Sequence, residues 1–194
     1  MRISRRWLGS FLLLAVCGST LAAQTAEPRR KPDVPFVPTT EEAVQAMLKL
    51  ADVKTNDTVY DLGCGDGRIV IAAAKNFGAR AVGIDIDPQR IKEANENAKK
   101  AGVENRVKFI EQDLFKADFH EATVVTLFLL PQVNLQLKPA LLKQLKPGTR
   151  VVSNTFDMGD WKPEKEFNVA SDTGDDDAFL SRHLFLWIVP KGSN

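Results

Sequence analysis

The chain has 194 residues, 44% of them hydrophobic and 26% charged, with a formal net charge of +1. These values exclude wholesale disorder, argue against a strongly basic nucleic-acid binder, and favour one domain, since domains cluster at about 100–150 residues. Two cysteines (Cys17, Cys64) and two histidines can build neither a disulfide scaffold nor a usual structural zinc site.

Residues 1–23 read as an address. Arg2, Arg5 and Arg6 precede a charge-free run from Trp7 to Ala23, closed by the small pair Ala22-Ala23. The order basic, apolar, small-residue site is that of a secretory signal, and the run falls short of the ~20 apolar residues of a spanning helix. It predicts an exported, periplasmic or envelope-associated protein. An uncleaved anchor with the domain facing the cytosol is the alternative. Ser4 to Leu8 resembles a twin-arginine export signal, against a generic n-region that holds adjacent arginines. Leu14 to Cys17 outlines a lipoprotein box, but Val16 is bulkier than the residue that normally precedes a lipidated cysteine. Residues 24–38 (QTAEPRRKPDVPFVP) form a Pro-rich, extended leader. The remaining 39–194 form the folded domain.

A capping box of Thr39 and Glu42 opens the first helix, whose stripe is Ala43, Val44, Met47, Leu48 and Leu50. Thr58 to Asp61 is a short strand, Arg68 to Phe77 a helix with Gly78 as its C-cap, and Ala81 to Asp85 a second strand. Asp87 caps a helix that opens on Pro88, runs to Ala101 and stops at Gly102. Val107 to Ile110 is a third strand. Ala122 to Leu130 (ATVVTLFLL) is a fourth, apolar enough to lie centrally with both faces covered. Val133 to Leu145 is helical, with a kink or restart at Pro139, and Arg150 to Phe156 is a fifth strand. Lys165 to Ala170 and Arg182 to Val189 follow with no helix between them and form a hairpin. This order predicts an α/β fold: a doubly wound, seven-stranded, mostly parallel sheet with an antiparallel C-terminal hairpin.

The sharpest local pattern is Asp61-Leu62-Gly63-Cys64-Gly65-Asp66-Gly67, between the first strand and the next helix. Glycines there permit positive φ and let a ligand lie against bare backbone. The nicotinamide fingerprint fails, because its third glycine would fall at Arg68 and because Asp66 would repel a pyrophosphate. A nucleoside without phosphate and with a positive centre suits an acid-flanked loop, and S-adenosylmethionine (SAM) has that character. Asp85 ends the second strand, where an acid accepts from both ribose hydroxyls. Asp113 follows the third, where an acid can accept from an adenine amino group.

On these residues the chain resembles class I SAM-dependent methyltransferases, whose first motif is [D/E]-x-G-x-G-x-G. It resembles most the ATP synthase c-subunit lysine methyltransferases. The similar pieces are Pro35 to Thr39, Asp61 to Val70 (DLGCGDGRIV), Asp113 to Lys116, Val124 to Leu137 (VVTLFLLPQVNLQL), Arg150 to Val152, Phe156 and Trp161. The resemblance implies that Gly63, Gly65 and Gly67 contact the methionine part of SAM, that Asp61 serves its amine through the loop, and that Phe36 to Thr39 lie over the cofactor as a lid. The candidate cofactor contacts are then Val37, Pro38, Thr39, Asp61, Gly63, Gly65, Gly67, Asp85, Ile86, Asp113, Leu114 and Leu130. It also implies a protein lysine as methyl acceptor; for an exported enzyme this would be an envelope or membrane protein.

Methyl transfer is an in-line displacement in which the protein mainly orients two reactants. The acceptor belongs at the end of the fourth strand, where the chain reads Leu130-Pro131-Gln132. An Asn-Pro-Pro-Tyr motif is missing there, which argues against a base-flipping enzyme. The substrate-facing candidates are Pro131, Gln132, Asn154, Asp157 and Trp161, with a packing role as the alternative for Trp161. No catalytic side chain stands out, and no metal is expected: Asp172, Asp175, Asp176 and Asp177 fit no EF-hand loop, and His120 and His183 lack ligand-like companions. Cys64 reads as a small loop residue, with a reactive thiol as the alternative. A small-molecule or lipid methyltransferase and a non-catalytic SAM-binding module remain alternative functions.

Overall fold

The computed structural model describes residues 36–169 and 183–192. The export segment, the leader up to residue 35 and the cluster Asp172 to Asp177 lie outside the described residues.

Helix α1 (Glu41–Leu50) leads into strand β1 (Thr58–Leu62), followed by α2 (Arg68–Phe77), β2 (Arg80–Asp85), α3 (Pro88–Ala101) and β3 (Val107–Glu111). A 3₁₀ turn (Leu114–Lys116), β4 (Val124–Leu127), α4 (Pro131–Gln144), β5 (Arg150–Asn154), β6 (Lys165–Asn168) and β7 (His183–Ile188) complete the described chain. The strands form one sheet in the order β3-β2-β1-β4-β5-β7-β6. The first five run parallel, and β7 pairs antiparallel with both β5 and β6. This is the doubly wound sheet with a terminal hairpin that the sequence predicts.

Alternation along the strands sends side chains to opposite faces. Val59, Val124, Val152, Leu184 and Leu186 pack with Val44, Met47 and Leu48 of α1 and Ile69, Val70 and Ala73 of α2. Tyr60, Leu62, Val125, Leu127, Val151 and Trp187 pack with Leu137 and Leu141 of α4 and with Phe119. Two covered faces explain why β4 is wholly apolar apart from Thr126. At the amino end of the strands Asp57, Arg150 and Thr123 form a clasp, with the Thr123 hydroxyl 2.7 Å from Asp57. Burial opposes the charge on Asp57, but its bonds to Thr123, Lys54 and Arg150 outweigh it and hold the carboxyl below its usual range.

Several boundaries differ from the sequence reading. Thr40, not Thr39, caps α1: its hydroxyl accepts from Ala43 N at 3.3 Å, while Thr39 is buried. Strand β4 stops at Leu127, because Leu130 already serves as the extended N-cap of α4 and Pro131 is its first residue. Pro139 sits inside α4 without dividing it. It and Leu135 face solvent, where water can take the Leu135 carbonyl that lacks a donor. Strand β5 ends at Asn154, since Thr155 turns the chain at φ +68°. Strand β6 stops at Asn168, and β7 spans His183–Ile188 within the expected Arg182 to Val189.

Candidate active site

From β1 the chain runs outward to β2 and β3, then returns to β4 on the other side. A crevice opens at the carboxyl ends of the strands where the winding reverses. A cavity open to solvent lies there.

The glycine loop is pinned to the end of β2. Gly63 N and Cys64 N both donate to the Ile84 carbonyl, at 2.8 and 3.0 Å. Gly65 N donates to Asp85 Oδ2 at 2.8 Å, and Asp87 N donates to Asp85 Oδ1 at 2.9 Å. Each Asp85 oxygen is thereby oriented while keeping a lone pair for a ligand hydroxyl. Asp113 follows β3 and caps the 3₁₀ turn, accepting from Phe115 N at 3.0 Å.

Asp61 lies near the end of β1 opposite Thr126 of β4, whose hydroxyl donates to it at 2.7 Å. Burial pushes the Asp61 carboxyl up to about 7; the Thr126 bond pulls against this, and Asp85 and Asp66 add to it. Burial also pushes the Cys64 thiol upward. Cys64 is packed against Gly83, where a methyl group would lie 2.8 Å from its sulfur. It is a small loop residue that fills space, not an activated thiol.

Val37, Pro38, Thr39, Asp61, Gly63, Gly65, Asp85, Ile86, Asp113 and Leu114 all line the cavity. Cys64, Asp66, Arg68, Ile69, Asp87, Arg90, Phe128, Leu129 and Val133 line it as well and were not among the candidates. Arg90 sits one turn into the helix that Asp87 caps, so the spacing Asp87-x-x-Arg90 after the β2 acid is the pattern that could have located both.

Gly67 and Leu130 lie outside the wall. Gly67 is the N-cap of α2 at φ +80°, and an added methyl there would lie 2.7 Å from Phe109 and 2.9 Å from Ala94. Its task is close packing of α2 against α3 and β3. Phe128 and Leu129 take the place expected for Leu130, which turns away to cap α4.

The substrate-facing candidates also lie outside the wall. Pro131 and Gln132 are exposed on the first turn of α4, and Gln132 caps nothing. Asp157 accepts from Gly159 N at 2.8 Å in an exposed turn. Trp161 packs against Trp187, ring centroids 6.0 Å apart, and its carbonyl accepts from Trp187 Nε1 at 2.7 Å. Asn154 is fully buried. Its Oδ1 accepts from Thr155 Oγ1 at 3.1 Å. A second amide at this corner is Asn134 of α4: its Nδ2 donates to Ser153 Oγ and the Phe156 carbonyl, both at 3.2 Å, and to the Asp157 carbonyl at 3.3 Å. Asn134 Oδ1 and Asn154 Nδ2 are buried without a partner among the described residues.

The cavity is chemically divided. Its carboxylates come from β1, the glycine loop, the end of β2 and the turn after β3. The β4–α4 side contributes Phe128, Leu129 and Val133.

The chain is 47% identical to a protein-lysine N-methyltransferase of Saccharolobus islandicus (strain REY15A), over 81% of this chain and 95% of that protein. It is 35% identical to the ATP synthase c-subunit lysine N-methyltransferase of Homo sapiens, over 84% of this chain and 72% of that protein. Among solved structures, an RNA methyltransferase from Salinibacter ruber in complex with S-adenosyl-L-homocysteine (SAH) shares 52% identity at a TM-score of 0.72, covering 80% of this chain and 95% of that one. The family described as the ANTKMT methyltransferase domain matches residues 61–165, more than half of the sequence, and the chain belongs to that methyltransferase family.

Proposed function

We propose that the protein transfers a methyl group from SAM to the ε-amine of a lysine in a protein substrate. The cavity suits that cofactor: acids on three successive strand ends meet an amine and hydroxyls, and a glycine-rich loop lies between them. Asp85 would hold the ribose, Asp113 the adenine amino group, and Asp61 with Gly63 and Gly65 the methionine end. Bound SAM supplies an electrophilic methyl on a sulfonium. An amine that approaches from the β4–α4 side meets Phe128, Leu129 and Val133, and burial against such walls favours its neutral, nucleophilic form.

The observation that carries the lysine assignment is the 47% identity, over nearly the whole of the relative, to a protein named for that reaction. The Salinibacter ruber relative, described as an RNA methyltransferase, favours a second reading. Against it stand the near-neutral charge of the chain and the cavity wall, where Arg68 and Arg90 are both paired with acids and neither is left for a phosphate. From residues 1–23 we infer a location outside the cytosol, where an envelope protein would be the substrate. The deciding experiment compares envelope proteins, cytosolic proteins and digested RNA from cells with and without the gene by mass spectrometry. Methylated lysine that disappears with the gene supports the reading. Loss of a methylated nucleotide with lysine unchanged replaces it by the RNA reading.

A further inference from the structure

Arg68 stands where a dinucleotide fold would carry its third glycine, and its guanidinium serves two partners. Nε and Nη2 donate to the Asp66 carboxylate at 3.0 and 2.6 Å, and Nη1 donates to the Thr39 carbonyl at 2.7 Å. Asp66 is itself tied to α3, since its carbonyl accepts from Asn97 Nδ2 at 3.0 Å. Burial opposes the charge on Asp66, but Arg68 outweighs it and holds the carboxyl below its usual range. The pair is thus a charged clasp between the glycine loop and the segment before α1.

The same segment is held a second time three residues upstream. The Phe36 ring lies on the glycine loop so closely that a methyl group at Gly65 would fall 2.3 Å from its Cε2 atom. The Arg90 guanidinium carbon lies 4.6 Å from the ring centroid. Phe36 is still 44% exposed, so burial alone does not fix it. The Arg68 bond to the Thr39 carbonyl holds the backbone three residues downstream of the ring. Residues 36–39 form one wall of the cavity, directly across the loop whose Gly65 N–H orients Asp85.

We propose that Arg68 is a positioning residue that fixes the strap of residues 36–39 over the bound cofactor, so that release of the cofactor requires the Arg68–Thr39 bond to break and Phe36 to leave Gly65. This rests on the SAM reading of the cavity. A planar guanidinium can face Asp66 side-on and still aim a third nitrogen at Thr39, whereas a lysine ammonium cannot meet both demands. The fork, not the charge, is what the strap needs.

The test uses the full chain and the dissociation rate of SAH, measured by stopped-flow displacement, beside the melting temperature of the ligand-free protein. Arg68→Gln and Arg68→Lys should each speed dissociation at least ~10-fold, about 1.4 kcal/mol, with turnover affected less than KM for SAM. Phe36→Ala should speed it comparably at an unchanged melting temperature, because the ring is half exposed. Arg68→Gln/Phe36→Ala should be no faster than the quicker single variant, since both release one strap. A wild-type rate in Arg68→Lys, a wild-type rate in Phe36→Ala, or additive effects in the double variant each overturn the proposal. Should Arg68→Gln not fold, Arg68→Lys and Phe36→Ala decide it alone. Absence of SAH binding by the wild type would instead overturn the cofactor assignment.

Discussion

Gly65 donates its backbone N–H to Asp85 at 2.8 Å, so the middle glycine of the loop and the acid at the end of β2 form one unit. The loop cannot shift without turning the carboxylate that would hold the ribose. Asp85→Ala therefore loses two things: acceptors for the ribose hydroxyls and the anchor of the loop. SAH affinity should fall by about 1–3 kcal/mol, the scale for charge-assisted hydrogen bonds. Calorimetry on the folded variant checks this, and an unchanged affinity removes Asp85 from the site.

The position of Asp61 predicts a pH dependence of binding. Its carboxyl is pushed from 3.8 up to about 7 in the folded chain. A raised carboxyl pKa contributes stability that is fully present below about pH 4 and is lost as pH rises to about 7. A cationic amine beside Asp61 acts in the opposite sense, since it favours the carboxylate and lowers its pKa in the complex. SAH affinity should then rise with pH up to about pH 7 and level off above it, and Asp61→Asn should flatten that rise. Titrations across this range test it; an equal slope in the variant would assign the titration to another group.

The glycines of the loop have separable roles. A methyl at Gly67 meets Phe109 at 2.7 Å and Ala94 at 2.9 Å, inside packed structure. Gly67→Ala should therefore destabilise the fold by about 1–3 kcal/mol, from overpacking and from the left-handed backbone. A methyl at Gly65 meets mainly the exposed Phe36 ring. Gly65→Ala should cost less stability and more SAH affinity. Thermal melts and calorimetry on both variants separate the two effects.

The amides of α4 provide a further contrast. Gln132 is exposed on the first turn and is not among the residues that line the cofactor cavity, so Gln132→Ala should leave stability and SAH affinity within about 0.5 kcal/mol. Asn134 is fully buried and joins α4 to Ser153 and the turn after β5. Asn134→Ala should destabilise the chain by about 1–3 kcal/mol, because buried acceptors lose their donor. Denaturant titration of both variants checks this. If Gln132→Ala nevertheless lowers methyl transfer about 10-fold at unchanged SAH affinity, Gln132 orients the acceptor from outside the cavity.

Much of this protein was legible in the sequence because its strongest determinants are local. Alternation and continuous apolar runs mark the strands, Pro88 and Gly102 bracket α3, and Asp61 to Gly67 announces a ligand loop wherever it sits in space. The acids at 61, 85 and 113 could be assigned to one site because each stands at or just past the end of a strand, and parallel strands in one sheet bring those ends together. Packing decided the rest. Whether Gly67 faces ligand or helix depends on Ala94 and Phe109, far along the chain. Whether Leu129 or Leu130 faces the cavity depends on where α4 begins, and a one-residue change of phase sends a side chain to the other face. Arg68 looks like a solvated helix start until Thr39 and Asp66 are placed beside it. Trp161 and Asn134 take their roles from Trp187 and Ser153, partners that no local pattern names. The sequence could thus determine the fold and the chemistry of the cofactor side by itself, whereas the wall facing the methyl acceptor is built from contacts between distant segments and was decided only in three dimensions.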